Sequence, residues 1–320
     1  MSVRPLSAFR LLVVLTTLAL GVVVGSPAVA GADTGPSTWT VLVGSQSPNS
    51  AISGMKFLPG TITIDAGDTV HWVANSVELH TVTFLAGGQA LPTFNPGDPT
   101  QNTAQGGSVY DGSSYYNSGV MTTVPDGEDA GPIPPVPHVA SYDLTFPDAG
   151  TYTYYCLVHG VAMQGAVTVN PAGTPYPQTQ AQVDHQAQLE ANAIVTDGNR
   201  LRAETNRMAG PDTVMVGNDD MYGAMLMRFV HQTVTVRAGD SVTFTNPGMG
   251  PHTVTFGQEP EGPALENYVP AATYDGTVGV SSFLPGKLSF TVTFTKPGRY
   301  HYICALHDVQ GMTGTVIVRR

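Results

Sequence analysis

Residues 57–84 read FLPGTITIDAGDTVHWVANSVELHTVTF, and residues 229–256 read FVHQTVTVRAGDSVTFTNPGMGPHTVTF. The two stretches align without a gap at a constant offset of 172, and 12 of 28 positions are identical. Within each, Thr61-Ile62-Thr63-Ile64 or Thr233-Val234-Thr235-Val236 alternates polar and apolar residues, the period of a strand with one buried face. Ala66-Gly67-Asp68 and Ala238-Gly239-Asp240 supply turn chemistry, and a second alternating run follows through Val70 and Trp72, or Val242 and Phe244. A further block repeats downstream: FPDAGTYTYYCLVHGVAMQGAVTV from Phe146 and FTKPGRYHYICALHDVQGMTGTVIV from Phe294, with a short Tyr-Asp-Gly at Tyr110 and Tyr274. Two long units in the same order mean two copies of one domain, since a solenoid needs three or more short repeats. Short strands with Gly/Pro turns predict an all-β chain, with a Greek-key β-sandwich in each half.

Composition agrees with that reading. The 320 residues include 36 Gly and 25 Pro, which favours turns and short strands over long helices. A 42% apolar content supports a core, and 12% charged residues is low for a disordered chain. The formal charge of −11 argues against a general nucleic-acid binder, which needs a basic face. Two Cys exclude a disulfide-rich scaffold and a four-cysteine zinc site.

Residues 1–30 read as a secretory signal peptide. Arg4 and Arg10 precede an apolar run from Leu11 to Val24, and Ala28-Val29-Ala30 is an A-x-A cleavage pattern. The competing reading is a membrane anchor, for which the run is short. The mature chain, Gly31–Arg320, is expected to be exported and soluble, without stable membrane insertion. Residues 38–170 and 211–320 are the two predicted domains. The first carries a long insertion, because His80 to Cys156 spans 76 residues against 52 from His252 to Cys304. The linker, 171–210, is extended from Pro171 to Pro177 and then predicted helical over 178–206, with an interruption near Asp197-Gly198. Its apolar positions, Val183, Ala187, Leu189, Ala193 and Ile194, predict packing on one side.

Each half holds one Cys in the same setting: Cys156-Leu-Val-His159-Gly-Val-Ala-Met163, and Cys304-Ala-Leu-His307-Asp-Val-Gln-Gly-Met312. Each has a further His upstream, His80 or His252, opening a repeated His-Thr-Val-Thr-Phe. Each domain thus offers two imidazoles, one thiolate and one thioether. Soft sulfur with imidazole selects copper over magnesium or calcium, and two His with a Cys and a weak axial Met form the blue-copper set. The competing readings are a Cys156–Cys304 disulfide, which would have to join equivalent positions deep in two separate repeats, or an unmetallated core.

Each copy resembles a cupredoxin of the plastocyanin/pseudoazurin kind. The resemblance rests on the Ala-Gly-Asp turn, the upstream His-Thr-Val and the pattern Y-x-Y-[YI]-C-x2-H-x(3,4)-M, and it covers most of 38–170 and 211–320. It implies two cupredoxin domains with a type 1 copper site in each. His252, Cys304 and His307 would be equatorial ligands and Met312 axial, with His80, Cys156, His159 and Met163 their counterparts. The first loop is one residue shorter and has Leu79 where the second copy has Pro251, which bears most on Met163.

The resemblance implies a secreted carrier of single electrons, not an enzyme, with the exposed edge of His159 or His307 as electron port. Leu157, Val158 and Val161, or Ala305, Leu306 and Val309, would form an apolar rim for a redox partner protein. Residues 31–170 carry a charge of −10 against −2 for 211–320, which would favour a basic partner if it is more than a solubility device. Two alternatives stay open. One is a copper-binding or delivery protein without redox turnover, for which Met221, Met225 and Met227 could form a transfer surface. The other is a divergent multicopper oxidase or nitrite reductase-like enzyme with an interdomain copper built from His71, His138, His185, His231 and His301. Against it, neither Cys has a flanking His and no His-x-His pair occurs. Nucleophile-elbow, phosphate-loop and metalloprotease motifs are also absent.

Overall fold

The computed structural model describes residues 35–125, 137–260 and 262–320. The signal peptide expected over 1–30 lies outside the described residues, as does part of the long first-domain insertion.

The alternating runs become strands as their period requires. Thr69–Ala74 and Ser241–Thr245 bury every second residue, placing Val70 and Trp72, or Val242 and Phe244, inside. The chain is a pair of β-sandwiches with a helical linker, and Trp72, Tyr154, Phe57 and Phe84 fill one core while Phe244, Phe256, Phe290 and Tyr302 fill the other. The inner sheet of the first sandwich is built on Thr61–Asp65, Gly160–Asn170 and Gly150–Cys156. Its counterpart in the second holds Thr233–Arg237, Thr313–Arg319, Gly298–Ile303, His252–Phe256 and Val280–Leu284.

The two remaining sheets are one. A single nine-stranded sheet runs through both domains, and its centre is the antiparallel pair Ile52–Leu58 and Ala224–Val230. Gly54, Ser53 and Ile52 face Ala224, Met225 and Leu226 in register. The Met55 N–H donates to Gly223 O, and the Met227 N–H to Ala51 O. Each domain thus covers the other's sheet edge, which would otherwise present unpaired backbone groups.

The linker forms the helix Gln180–Met208, started by a capping box in which Thr179 and Gln182 satisfy each other's backbone N–H. Its buried residues are Val183, Ala187, Ile194, Gly198, Leu201 and Thr205, a single stripe at helical spacing. The stripe lies across the joint. Ala187 and Ile194 pack with Ile52, Leu58 and Ala224, while Leu201 packs with Met215, Leu226 and Val230. Two sequence expectations are corrected here. Leu189 is exposed, as is Ala193, because the stripe continues through Gly198 and Leu201 instead. The helix is also unbroken at Asp197-Gly198, because Gly198 is a close-approach residue: a Cβ there would collide with the Ile52 side chain.

Substituting Gly198→Val should therefore cost about 1–3 kcal/mol by overpacking a site that cannot yield. Leu189→Ala, on the exposed face, should stay within about 0.5 kcal/mol. Thermal or urea unfolding of both variants reads the difference.

Candidate metal centres

Both centres are assembled by the same local devices. His80 is held by a two-way backbone bridge to Met121, and His252 opens the strand His252–Phe256. Period two along Gly150–Cys156 turns Tyr154 and Cys156 inward together, and Cys304 follows directly on Gly298–Ile303. The residue after each upstream His then fixes the loop. The Thr81 N–H donates to Cys156 Sγ at 3.4 Å, and Thr81 Oγ1 accepts from the Leu157 N–H at 2.8 Å. Thr253 repeats both contacts, to Cys304 Sγ at 3.3 Å and from the Ala305 N–H at 2.6 Å. The loop His follows within one turn in each copy. In the second loop the His307 N–H donates to Cys304 O and the Met312 N–H to His307 O, which closes it on itself.

The donor atoms converge. Cys156 Sγ lies 3.8 Å from His80 Nδ1 and 3.4 Å from His159 Nδ1. Cys304 Sγ lies 3.8 Å from His252 Nδ1 and 3.3 Å from His307 Nδ1. In each group the three donor atoms lie within 4.8 Å of one another. Met163 and Met312 are fully buried, in the same apolar clusters as Cys156 and Cys304. The shorter first loop therefore still buries its thioether. Both cysteines are free thiols, which removes the disulfide reading.

Burial sets the protonation states. It lowers the His159 imidazole to about 4 and that of His252 to about 3. It also holds His80 and His307 well below the ordinary histidine value, with neighbouring imidazoles adding to the shift. All four rings are therefore neutral, the form that binds metal. Burial raises both thiols to about 11, partly offset by the Thr81 and Thr253 N–H groups. A soft, polarising cation is what such a buried thiol needs to become a thiolate.

Three kinds of residue escaped the sequence reading. Gly44 and Gly217, with φ of 74° and 65°, sit at the bulges of Thr38–Gln46 and Thr213–Asp219. A Cβ at either would collide with Nε2 of His80 or His252, so each glycine makes room for an upstream imidazole. Thr81 and Thr253 were visible in the repeated motif, but their grip on the sulfur was not. The third is Glu78, which is buried between the two loop histidines. Its Oε1 lies 3.8 Å from His159 Nε2 and its Oε2 3.8 Å from His307 Nε2. Gln310 Nε2 donates to Oε2 at 2.8 Å from the other domain. Burial raises this carboxyl to about 7, against the hydrogen bonds from Leu79 and Gln310. Among the described residues no Lys or Arg pairs with it. The signal for Glu78 lay in the repeat itself, since its counterpart in the second copy is Gly250.

The expected electron ports are corrected by the same geometry. The side chains of His159 and His307 are only 8% and 6% exposed, because each faces the other domain across Glu78. Leu157 and Ala305 are buried too, and only Val161 and Val309 of the expected rims are exposed. The five other histidines do not gather. His71 Nδ1 lies 2.6 Å from Asp143, His301 Nδ1 lies 3.1 Å from Thr315 Oγ1, and His138 Nε2 lies 3.0 Å from Val124 O. Among the described residues only the two His-Cys-His groups have metal-ligand geometry. Met225 and Met227 are buried, so of these three methionines only Met221 is exposed, and the three do not form a transfer surface.

Two sandwiches, each closing a buried thiol and two neutral imidazoles at one end, define a tandem cupredoxin. Sequence comparison agrees. A family model described as copper binding proteins, plastocyanin/azurin family, matches residues 45–170 and again 215–319. The chain belongs to that family. Chloroplastic plastocyanin of Tetradesmus obliquus is 33% identical over 153 residues, covering 47% of this chain and 94% of that protein. Chloroplastic plastocyanin of Physcomitrium patens is 34% identical over 138 residues, covering 41% and 75%. Amicyanin from Paracoccus versutus is a structural neighbour at 25% identity and a TM-score of 0.25, over 42% of this chain and 81% of that one. The chain has two copper sites, one per domain, and the donor chemistry fits the metal. Each set joins soft sulfur to neutral nitrogen, and the buried Glu78 carboxyl lies between them with no Lys or Arg beside it among the described residues, so that bound cations would favour its charged form.

Gly44→Ala should weaken copper binding in the first domain and Gly217→Ala in the second, each by about 10–100-fold, as supporting-residue changes do. Titration against a competing chelator, with Cys304→Ser or Cys156→Ser silencing the other centre, reads each effect separately.

Proposed function

We propose that the protein is an exported blue-copper carrier that takes up and passes on single electrons through two type 1 centres. The observation that carries this is the pair of equivalent, water-poor sites, each with one thiol and two imidazoles converging through Nδ1. His80, Cys156 and His159 would hold one copper with Met163 as a further sulfur donor, and His252, Cys304 and His307 the other with Met312. The metal would supply the one-electron couple. The chain supplies a rigid frame in which strand ends and the Thr81 and Thr253 clamps hold the donors still, so little need reorganise when the charge changes. We assign domain 1 to 38–170, the linker to 171–210 and domain 2 to 211–320, after a signal peptide over 1–30.

The reading is of a carrier and not an enzyme, which the burial of the donors supports: Cys156, Cys304, His80 and His252 are buried, and the His159 and His307 side chains are nearly so. The acidic balance of residues 31–170 favours a basic redox partner. With the loop histidines turned inward, that partner would dock elsewhere than on the imidazole edges.

The test is the visible spectrum of the copper-loaded mature protein with copper counted per chain. Two coppers and a strong orange-red band that falls by half in Cys156→Ser and again in Cys304→Ser are expected. A band lost with Cys304→Ser alone would remove the first centre from the reading. A chain that binds copper without any such band would be a delivery protein, and this reading would fall.

A further inference from the structure

We propose that the two copper centres are one internally connected pair, and that Glu78 is the positioning residue that joins them. The inference rests on the reading of both sites as copper centres. In each sandwich the loop imidazole turns Nδ1 toward the sulfur and Nε2 away from it, so the ring leads out of the donor set. Here both exits point at the same carboxylate. From Cys156 Sγ the route runs 3.4 Å to His159 Nδ1, through the ring to Nε2, and 3.8 Å to Glu78 Oε1. It leaves from Oε2 over 3.8 Å to His307 Nε2, crosses that ring and reaches Cys304 Sγ over 3.3 Å.

The arrangement is built. Glu78 is 7% exposed, so its carboxyl lies between the rings away from the protein surface. Gln310, three residues beyond His307, fixes one oxygen with its amide. Arg228 fixes the loop carrying Gln310. Its guanidinium donates to Gln310 O at 2.6 Å and to Ser50 O at 3.2 Å, so one cation ties the second domain's ligand loop to the first domain. At 3.8 Å from both Nε2 atoms the carboxyl is close enough to favour the tautomers that carry the proton on Nε2 and leave Nδ1 bare, the support that metal-bound histidines normally draw from separate partners. One residue gives that support to two centres.

The step the pair performs is electron exchange. One centre passes from Cu(I) to Cu(II) as the other passes from Cu(II) to Cu(I). One electron moves, no bond forms or breaks, no proton leaves and no further reactant is consumed. The chain then holds up to two electrons that share one route, so an electron received by either domain is available from both.

The test uses the full copper-loaded chain in a Met312→Gln background, where the changed axial donor separates the two centres' bands and potentials. A flash reduces part of the copper, and the approach to equilibrium between the bands is followed. The expected result is an exchange rate independent of protein concentration, slowed about tenfold or more by Glu78→Leu and less by Glu78→Gln. A rate proportional to concentration, or one that Glu78→Leu leaves as it was, would overturn the proposal. A chain without two blue centres would instead overturn the function proposed above. A second measurement needs no redox turnover and holds even if Glu78→Leu loads poorly. In the Zn(II)-loaded protein, the 15N signals of His159 and His307 Nε2 should both move on Glu78→Gln, and movement of one alone, or of neither, would overturn the shared role.

Discussion

The antiparallel pairing of Ile52–Leu58 with Ala224–Val230 governs the rest of the structure. It satisfies two sheet edges at once and fuses one sheet of each sandwich into a single long sheet crossing both. Because the paired strands are the equivalent strands of the two repeats, the join relates the halves by an approximate twofold turn. A turn of that kind brings like to like. The ligand loop of one domain therefore meets the ligand loop of the other, and His159 and His307 face each other across Glu78. The helix Gln180–Met208 lies over the same join and packs on strands of both domains.

Much of this was legible in the chain. Alternation through Thr61–Ile64 and Thr233–Val236 gave the strands, because period two leaves one face to bury. The two converging His-Cys-His groups were legible because their chemistry is scarce: one Cys and one upstream His per copy, repeated at matching places. The helix was legible from the Ala- and Gln-rich composition of its segment, and so were Val183, Ala187 and Ile194 of its buried stripe, but not the stripe's continuation, since Gly198 reads as a breaker until Ile52 is seen against it.

What stayed hidden was everything set by how the two halves meet. No local pattern says that Ile52–Leu58 will pair with Ala224–Val230 and not stand as an edge, so no local pattern says that the loop histidines are covered. Leu157 and Ala305 read as an exposed rim from the sequence of one copy, and both are buried in the structure. Gly44 and Gly217 were hidden for a different reason. Their role depends on a bulge at positive φ beneath an imidazole distant in sequence, and a glycine among 36 does not announce that.

The shared sheet also changes what counts as a unit of folding. Cut at the linker, the chain would give two sandwiches, each with one side of its longest sheet unpaired and with Ile52 and Leu58, or Leu226 and Val230, stripped of the helix that covers them. Strand edges bare in that way seek other strands, including those of identical copies. The two repeats are domains by sequence pattern and by core, yet the backbone hydrogen bonds that complete each one are held by the other. Their order in the chain is thus less a string of two beads than a single object with two cores, and loosening either half exposes the seam of both.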